Sequence, residues 1–416
     1  MRVLWIVNQL LPDAAAEFEI PTGRSGTWMI DLARQLAHCE GISLGVACVA
    51  GDRYRDAFVK GIRYFAIPGD GQTMLFYHKS LASYWETIEE SFRPDVVHVH
   101  GTEYSHALPY LRRYPDKPVL VTVQGVLEMV ARNARGGLSL PQALRYRTPR
   151  EYLKLNGMIE RQLLQRWNVR YEREIIQRAS HATGRTDWDR YYIQRVNPEV
   201  EYHRCYYNLR DEFYGSRNWS VGGVHPCSVF ASTAAQHPMK GGHMALKILS
   251  VLRERHPSAT MTFLSQKRDA DGLPAVTNGY VKYIRRLIHE LDLRDSVRFI
   301  GGLDAPGIIE VMLASNAVLI PSACENASAT LREAMHLGVP CVAAYRGGMA
   351  ELIQDGESGF FYDYHDEVYG AGRLSEILRD PGLAARLSGG ARAAVAGWHD
   401  RVKNVSDYID VYRQML

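Results

Sequence analysis

An α/β protein of two domains, each a parallel sheet covered by helices, is what this sequence predicts, and three observations carry the prediction. The chain has 416 residues, more than a single hydrophobic core usually serves. Short apolar, β-branched runs alternate with helix-length amphipathic segments, the pattern of parallel strands joined by helical crossovers. Near the middle, the stretch from Tyr207 to Gly215 ends a strand and continues as polar, glycine-containing sequence, as expected where a chain passes between domains. The expected division is 1–207, 208–395 and a C-terminal helical segment, 396–416.

Taken in order, the strands expected in the first half are Arg2–Val7, Ser43–Cys48, Val96–Val99, Val119–Val123, His181–Gly184 and Glu201–Tyr206. A helix, Thr27–Leu36, separates the first two. In the second half the expected strands are Ser228–Ser232, Thr260–Ser265, Val297–Gly301, Ala317–Pro321 and Cys341–Ala344. Composition is that of an ordinary globular chain: 46% hydrophobic, 23% charged, net charge +3. Those values argue against disorder and against nucleic acid as a partner. The six cysteines are scattered without CxxC or Cys/His spacing, so neither a zinc site nor a disulfide framework is expected. The first residues read as a buried strand rather than a leader, and no apolar run approaches ~18 residues. A cytoplasmic location is the expectation.

One stretch departs from the average. From Ala131 to Arg178 there are eleven Lys/Arg against four Glu. Within it Ile159, Leu163, Trp167, Tyr171 and Ile175 recur every four residues, which predicts an amphipathic helix packed on its own domain with its cations turned to water. Such a face is either simply solvated or a surface for an anionic lipid headgroup or diphosphate-linked molecule.

The most informative segment runs from Val318 to Gly338. A strand ends at Pro321, small residues follow, and a helix starts near Ser328 and stops at Gly338. Ligands bind at the carboxyl ends of strands in open α/β sheets, and unpaired N–H groups at a helix start suit a pyrophosphate. Glu325 and Glu333 flank that helix start, and carboxylates are good acceptors for hydroxyl groups. In its PSxxE and REAMHLGVPCVA strings this segment resembles glycosyltransferase family 4, a retaining family whose two Rossmann-like domains face each other across a cleft, the GT-B fold. The resemblance implies that Glu325 contacts the donor sugar and Glu333 the ribose, with Asn326, Ala327 and Ser328 beside the donor. Asn326 stands where the family usually has Gly.

A second match, Val229 to Gly241, resembles the family's strand, phosphate loop and Lys-Gly helix opening. It implies donor contacts from Ser232, Thr233 and Lys240, the lysine stabilising the departing nucleoside diphosphate where other transferases use a metal. The arginine that commonly precedes this lysine is absent. In the first half, Gly23 to Trp28 resembles the family's glycine loop, which places Gly26 at the donor phosphates. His100 and Gln124 end strands of the first sheet and are the acceptor-side candidates. The helix Trp398–Leu416 in the family returns to the first domain.

The resemblance therefore implies a nucleotide-sugar donor, UDP by family habit, and a saccharide or lipid-linked saccharide acceptor in surface polysaccharide synthesis. It further implies no metal and no other cofactor; peripheral contact with an anionic membrane is the expectation that the second reading of the basic stretch Ala131–Arg178 adds. A nicotinamide dehydrogenase is disfavoured because Asn8–Ile20 contains no glycine and no GxGxxG follows. A sugar-nucleotide epimerase on the same fold and a non-catalytic nucleotide-sugar binder remain as alternatives.

Overall fold

The structure, a computed structural model, describes residues 1–21, 27–224, 226–232, 235, 237–265 and 267–416, with the side chains of 27, 28 and 223 left aside. The chain divides into two compact units. The first holds Met1–Glu128, Gln165–Arg210 and Trp398–Leu416; the second holds Met129–Leu164 and Asp211–Gly397.

Strands β1 (Arg2–Val7), β2 (Ser43–Val49), β3 (Arg55–Val59), β4 (Ile62–Ile67), β5 (Val96–His100), β6 (Val119–Thr122), β7 (His181–Gly184) and β8 (Glu201–Arg204) form the first sheet. Their order is β3-β4-β2-β1-β5-β6-β7-β8. All neighbours are parallel except the β3/β4 pair. The unbroken apolar run of β1 suits its central place, because a parallel strand is covered on both faces. β3 instead alternates exposed and half-buried residues, as an edge strand does. The β3/β4 hairpin is absent from the expected strands, although its signal is in the sequence. Lys60 and Gly61 both carry left-handed backbone, φ 51 and 83, the pair of conformations a two-residue hairpin turn needs.

The C-terminal helix Arg401–Gln414 packs into this unit's core. Its Tyr412 hydroxyl accepts from Trp5 Nε1 at 2.9 Å and meets His98 Nδ1 at 2.7 Å. His98 Nε2 lies 2.6 Å from Thr122 Oγ1. A polar thread thus runs from the returning helix across β1, β5 and β6.

The second sheet contains β9 (Ser228–Phe230), β10 (Thr260–Leu264), β11 (Val297–Ile300), β12 (Ala317–Ile320), β13 (Cys341–Ala344) and β14 (Phe360–Tyr362). The order is β11-β10-β9-β12-β13-β14, all parallel. The chain leaves β9 toward one edge through β10 and β11, then returns beside β9 as β12. That reversal between β9 and β12 is a topological switch point. Strand β14 was not anticipated from sequence.

One expectation is corrected. The sequence places all of 1–207 in the first domain, but 129–164 packs with the second unit. Three buried contacts within that unit explain why. The Gly136 carbonyl accepts from Tyr364 at 2.8 Å and lies 3.0 Å from His243 Nε2. Glu151, 4% exposed, accepts from the Gly279 N–H at 2.9 Å. The helix Met158–Gln177 therefore begins in one unit and ends in the other, and its four-residue stripe is not one buried face. Tyr171 and Ile175 are buried, whereas Leu163 and Trp167 are more than half exposed.

Candidate functional site

Three adjacent strands of the second sheet, β9, β12 and β13, send their carboxyl-end loops to one place. After β9 the backbone turns at Ser232, whose φ of 50 is unusual for a residue with a side chain. Backbone held in such a region is often part of a binding site. Ser232 Oγ lies 3.2 Å from Thr330 Oγ1, which ties this loop to the first turn of the helix Ala329–Leu337. The loop continues into the short 3-10 turn Pro238–Lys240 and the helix Gly242–Arg255.

Between turn and helix stands Gly241, with φ 72. A Cβ there would sit 1.6 Å from the Pro321 carbonyl oxygen. Only glycine allows this approach, and it presses the β9 loop onto the end of β12. Ala323 N–H then donates to the Met239 carbonyl at 2.8 Å, so the turn bearing Lys240 and the loop bearing Glu325 are laced through backbone.

The consequence is a direct pairing of the two expected catalytic residues. Lys240 Nζ donates to Glu325 Oε1 at 2.5 Å, and Ser322 Oγ donates to the same oxygen at 2.9 Å. Their side chains are 33% and 14% exposed: the carboxylate is sheltered but the ammonium reaches solvent. From the third strand, Gly348 N–H donates to the Glu325 carbonyl at 3.0 Å. Gly347, φ 62, comes so near that a Cβ would lie 2.0 Å from that carbonyl oxygen. Glu325 is thus held by backbone as well as by its side chain. Sequence reading missed this support; the glycine pair after β13 was its available sign.

The helix Ala329–Leu337 begins at Ser328, whose side chain accepts from Leu331 N–H, and ends at Gly338 with φ 78. Its first N–H groups and partial positive charge lie at the end of the loop that carries Glu325, an arrangement that favours an anion. Asn326 is buried and is not among the residues with left-handed backbone, so the loop does not require glycine at that position. Ala327 and Glu333 are half-buried, Ser328 buried. Thr233 and Gly26 lie outside the described residues.

The acceptor-side candidates, in the other unit, divide. Gln124 is half-buried, and its carbonyl accepts from Arg185 Nη2 at 2.8 Å. His100 is fully buried, its ring 4.2 Å from that of Trp5 and 3.7 Å from that of His98. Burial pushes its pKa down to about 3. His100 is a neutral core side chain in this structure, which corrects the expectation that it presents its ring to an acceptor. A strand-end position does not distinguish a side chain pointing out of the sheet's end from one packed on its face.

Comparison with known proteins agrees with this geometry. Residues 228–394 match the family "Glycosyl transferases group 1". A D-inositol 3-phosphate glycosyltransferase from Acidothermus cellulolyticus is 30% identical over 179 residues, 43% of this chain and 39% of that protein. The chain thus aligns with less than half of that relative's length. Over the whole chain, sucrose-phosphate synthase from Thermosynechococcus elongatus superposes with a TM-score of 0.73 at 16% identity, covering 100% of this chain and 99% of that one. The Anabaena protein HepE, solved with UDP-glucose, gives 0.68 at 17% identity and covers 100% of both. Two parallel-sheet α/β units and these neighbours establish the GT-B fold.

Proposed function

From a chain whose residues 228–394 match the glycosyl transferases group 1 family, we propose a retaining, family 4 glycosyltransferase that uses a nucleotide sugar, UDP-linked, and needs no metal ion. Its acceptor is a saccharide or lipid-linked saccharide of surface polysaccharide synthesis, met at the cytoplasmic face of a membrane. The observation that carries this reading is the Lys240–Glu325 pair at the β9/β12 switch point.

A donor diphosphate entering there offers Lys240 a more highly charged partner than Glu325. The ammonium turns to the phosphates and balances the charge that grows on the departing nucleoside diphosphate. Glu325, released, accepts hydrogen bonds from hydroxyls of the transferred sugar while its ring acquires positive character. Glu333, in the second turn of the helix, binds the ribose. That HepE was solved with UDP-glucose supports a uridine donor.

The membrane part of the proposal rests on 129–164. Leu140, Leu144, Leu153, Leu155 and Leu163 are exposed there, interspersed with exposed Arg145, Arg150 and Lys154. Aliphatic side chains beside cations suit an anionic bilayer surface. Arg135 and Arg147 are engaged within the unit, on Gln162 and Glu160, and do not belong to that surface. Among the described residues no helix is long and apolar enough to cross a membrane.

Incubation with a panel of nucleotide sugars in EDTA tests the reading. Slow release of nucleoside diphosphate with the sugar freed as the same anomer supports it. An epimerised sugar makes the protein an epimerase, and tight binding without turnover makes it a binder. Activity lost in EDTA and restored by Mn²⁺ overturns the metal-free assignment.

A further inference from the structure

Two histidines and a glutamate converge on one face of β7 and β8, a part of the first unit that the proposed transfer does not use. His181 opens β7 and Glu201 opens β8, and the register pairs them directly; His203 lies two residues on, opposite Thr183. Side chains repeat every two residues along a strand, so these three stand on the same side of the sheet. His181 Nδ1 and His203 Nε2 are 2.9 Å apart, with the rings stacked at 15°. The Glu201 carboxylate straddles the pair. Its Oε2 is 3.8 Å from His181 Nδ1 and its Oε1 3.8 Å from His203 Nε2. One donor atom from each residue fits within a 4.8 Å span.

We propose that His181, Glu201 and His203 form a binding site for a divalent transition metal of the zinc class at the edge of the first sheet. Imidazole nitrogens and a carboxylate oxygen bind such ions at about 2.0 to 2.2 Å, which at tetrahedral angles sets the donor atoms roughly 3.4 Å apart. The two nitrogens are 2.9 Å apart and each has a different Glu201 oxygen at 3.8 Å, with one donor atom from each residue inside a 4.8 Å span, so a rotation of the exposed Glu201 side chain toward the imidazole pair completes the set. Without a metal, the two nitrogens can share a single proton, and the carboxylate lies beyond hydrogen-bond reach of both. A cation replaces that proton and gives all three groups a common partner.

Exposure is graded to suit entry. The histidine side chains are 11% and 14% exposed, the glutamate 61%, so the carboxylate is open to an arriving ion and water can fill the fourth position. The ion would staple β8, the last strand of the sheet, to β7 across a pairing of only four residues each. The donor set of two imidazoles and one carboxylate favours Zn²⁺, Ni²⁺ or Co²⁺ over Mg²⁺ or Ca²⁺.

The test uses the full chain without a purification tag, stripped with chelator and then dialysed. Calorimetric titration with Zn²⁺ should show one saturable equivalent at micromolar affinity, with a raised Tm and no comparable response to Mg²⁺. His181→Ala and His203→Ala should each weaken binding at least tenfold, and Glu201→Gln less. The Co²⁺-loaded chain should give the visible absorption of a four-coordinate nitrogen and oxygen site. If alanine at 181 or 203 unfolds the protein, the Co²⁺ spectra of wild type and Glu201→Gln decide. Identical spectra and affinities for those two, or equal Zn²⁺ uptake by wild type and a folded His181→Ala/His203→Ala variant, overturn the proposal.

Discussion

The two sheets reverse their strand order at corresponding places, β1/β5 in the first unit and β9/β12 in the second, yet they treat ionisable groups there in opposite ways. At β9/β12 the groups form an ion pair that is partly open to solvent: Lys240 and Glu325 meet beside a helix start. At β1/β5 they are withdrawn. His98, His100 and His106 are at most 1% exposed, and desolvation holds all three well below the ordinary histidine range, His106 at about 4. Nearby Glu172, fully buried, accepts from Leu127 N–H and the Tyr192 hydroxyl, and burial pushes it up to about 7. One fold position can therefore serve as a charge-bearing site or as polar architecture. Solvent reach decides which, because an accessible charge can exchange partners with a ligand whereas a buried group is largely committed to its neighbours.

The largest effect expected from breaking this contrast is at Lys240. Lys240→Ala should lower kcat by 10²- to 10³-fold, about 2.7 to 4 kcal/mol, the usual loss for a preorganised electrostatic partner. Steady-state kinetics with the donor found in the panel measures it. A variant with wild-type kcat would reduce the Lys240–Glu325 pair to a surface ion pair, worth at most ~1 kcal/mol.

Next comes the division of labour between the two carboxylates. Glu325→Gln should act mainly on kcat, by about 2 to 3 kcal/mol, because its contacts strengthen as the sugar ionises. Glu333→Gln should act mainly on donor KM, since ribose contacts are alike in ground and transition states. Equal effects of both variants on kcat alone would contradict the assigned roles.

On the architectural side the expected effect is on stability rather than rate. His100 has a folded pKa of about 3 against an unfolded value near 6.5. Between those limits the unfolded chain binds the additional proton, so stability is lost as pH falls below about 6.5 and the loss saturates below about 3. His100→Phe should flatten the dependence of unfolding free energy on pH by up to about 1.4 kcal/mol per pH unit in that window. Chemical denaturation at pH 4.5, 5.5 and 7 reads the slope. An unchanged slope would mean that His100 is not held neutral.

The last effect, on membrane binding rather than on rate or stability, concerns 129–164. Replacing Arg145, Arg150 and Lys154 with Gln should reduce binding to anionic vesicles at low salt by roughly fivefold per charge, with donor hydrolysis unchanged. Vesicle sedimentation supplies the measurement. Equal binding by wild type and variant would leave these cations as a solvated face.

The strands around the site were legible in the sequence because β9, β12 and β13 are buried apolar runs and their crossovers are helical. The Glu325–Glu333 helix start was legible too, since its breaker and cap, Pro321, Ser328 and Gly338, are local signals. Lys240 was named from its motif, but its partner was not. The meeting of residues 85 positions apart depends on Gly241 lying against Pro321 and Gly347 against Glu325, contacts between loops that no periodicity encodes.

Local sequence thus determined the elements, the parallel α/β class and the residues able to bind phosphate and hydroxyl groups, because hydrophobic period and turn chemistry act within a few residues. Tertiary structure alone decided three further matters: that 129–164 joins the second unit, that His100 is core, and that His181, Glu201 and His203 share a face. Each depends on which distant backbone or side chain occupies the neighbouring space. The desolvation that neutralises His100 and the contacts that clasp Gly136 exist only once the chain has packed.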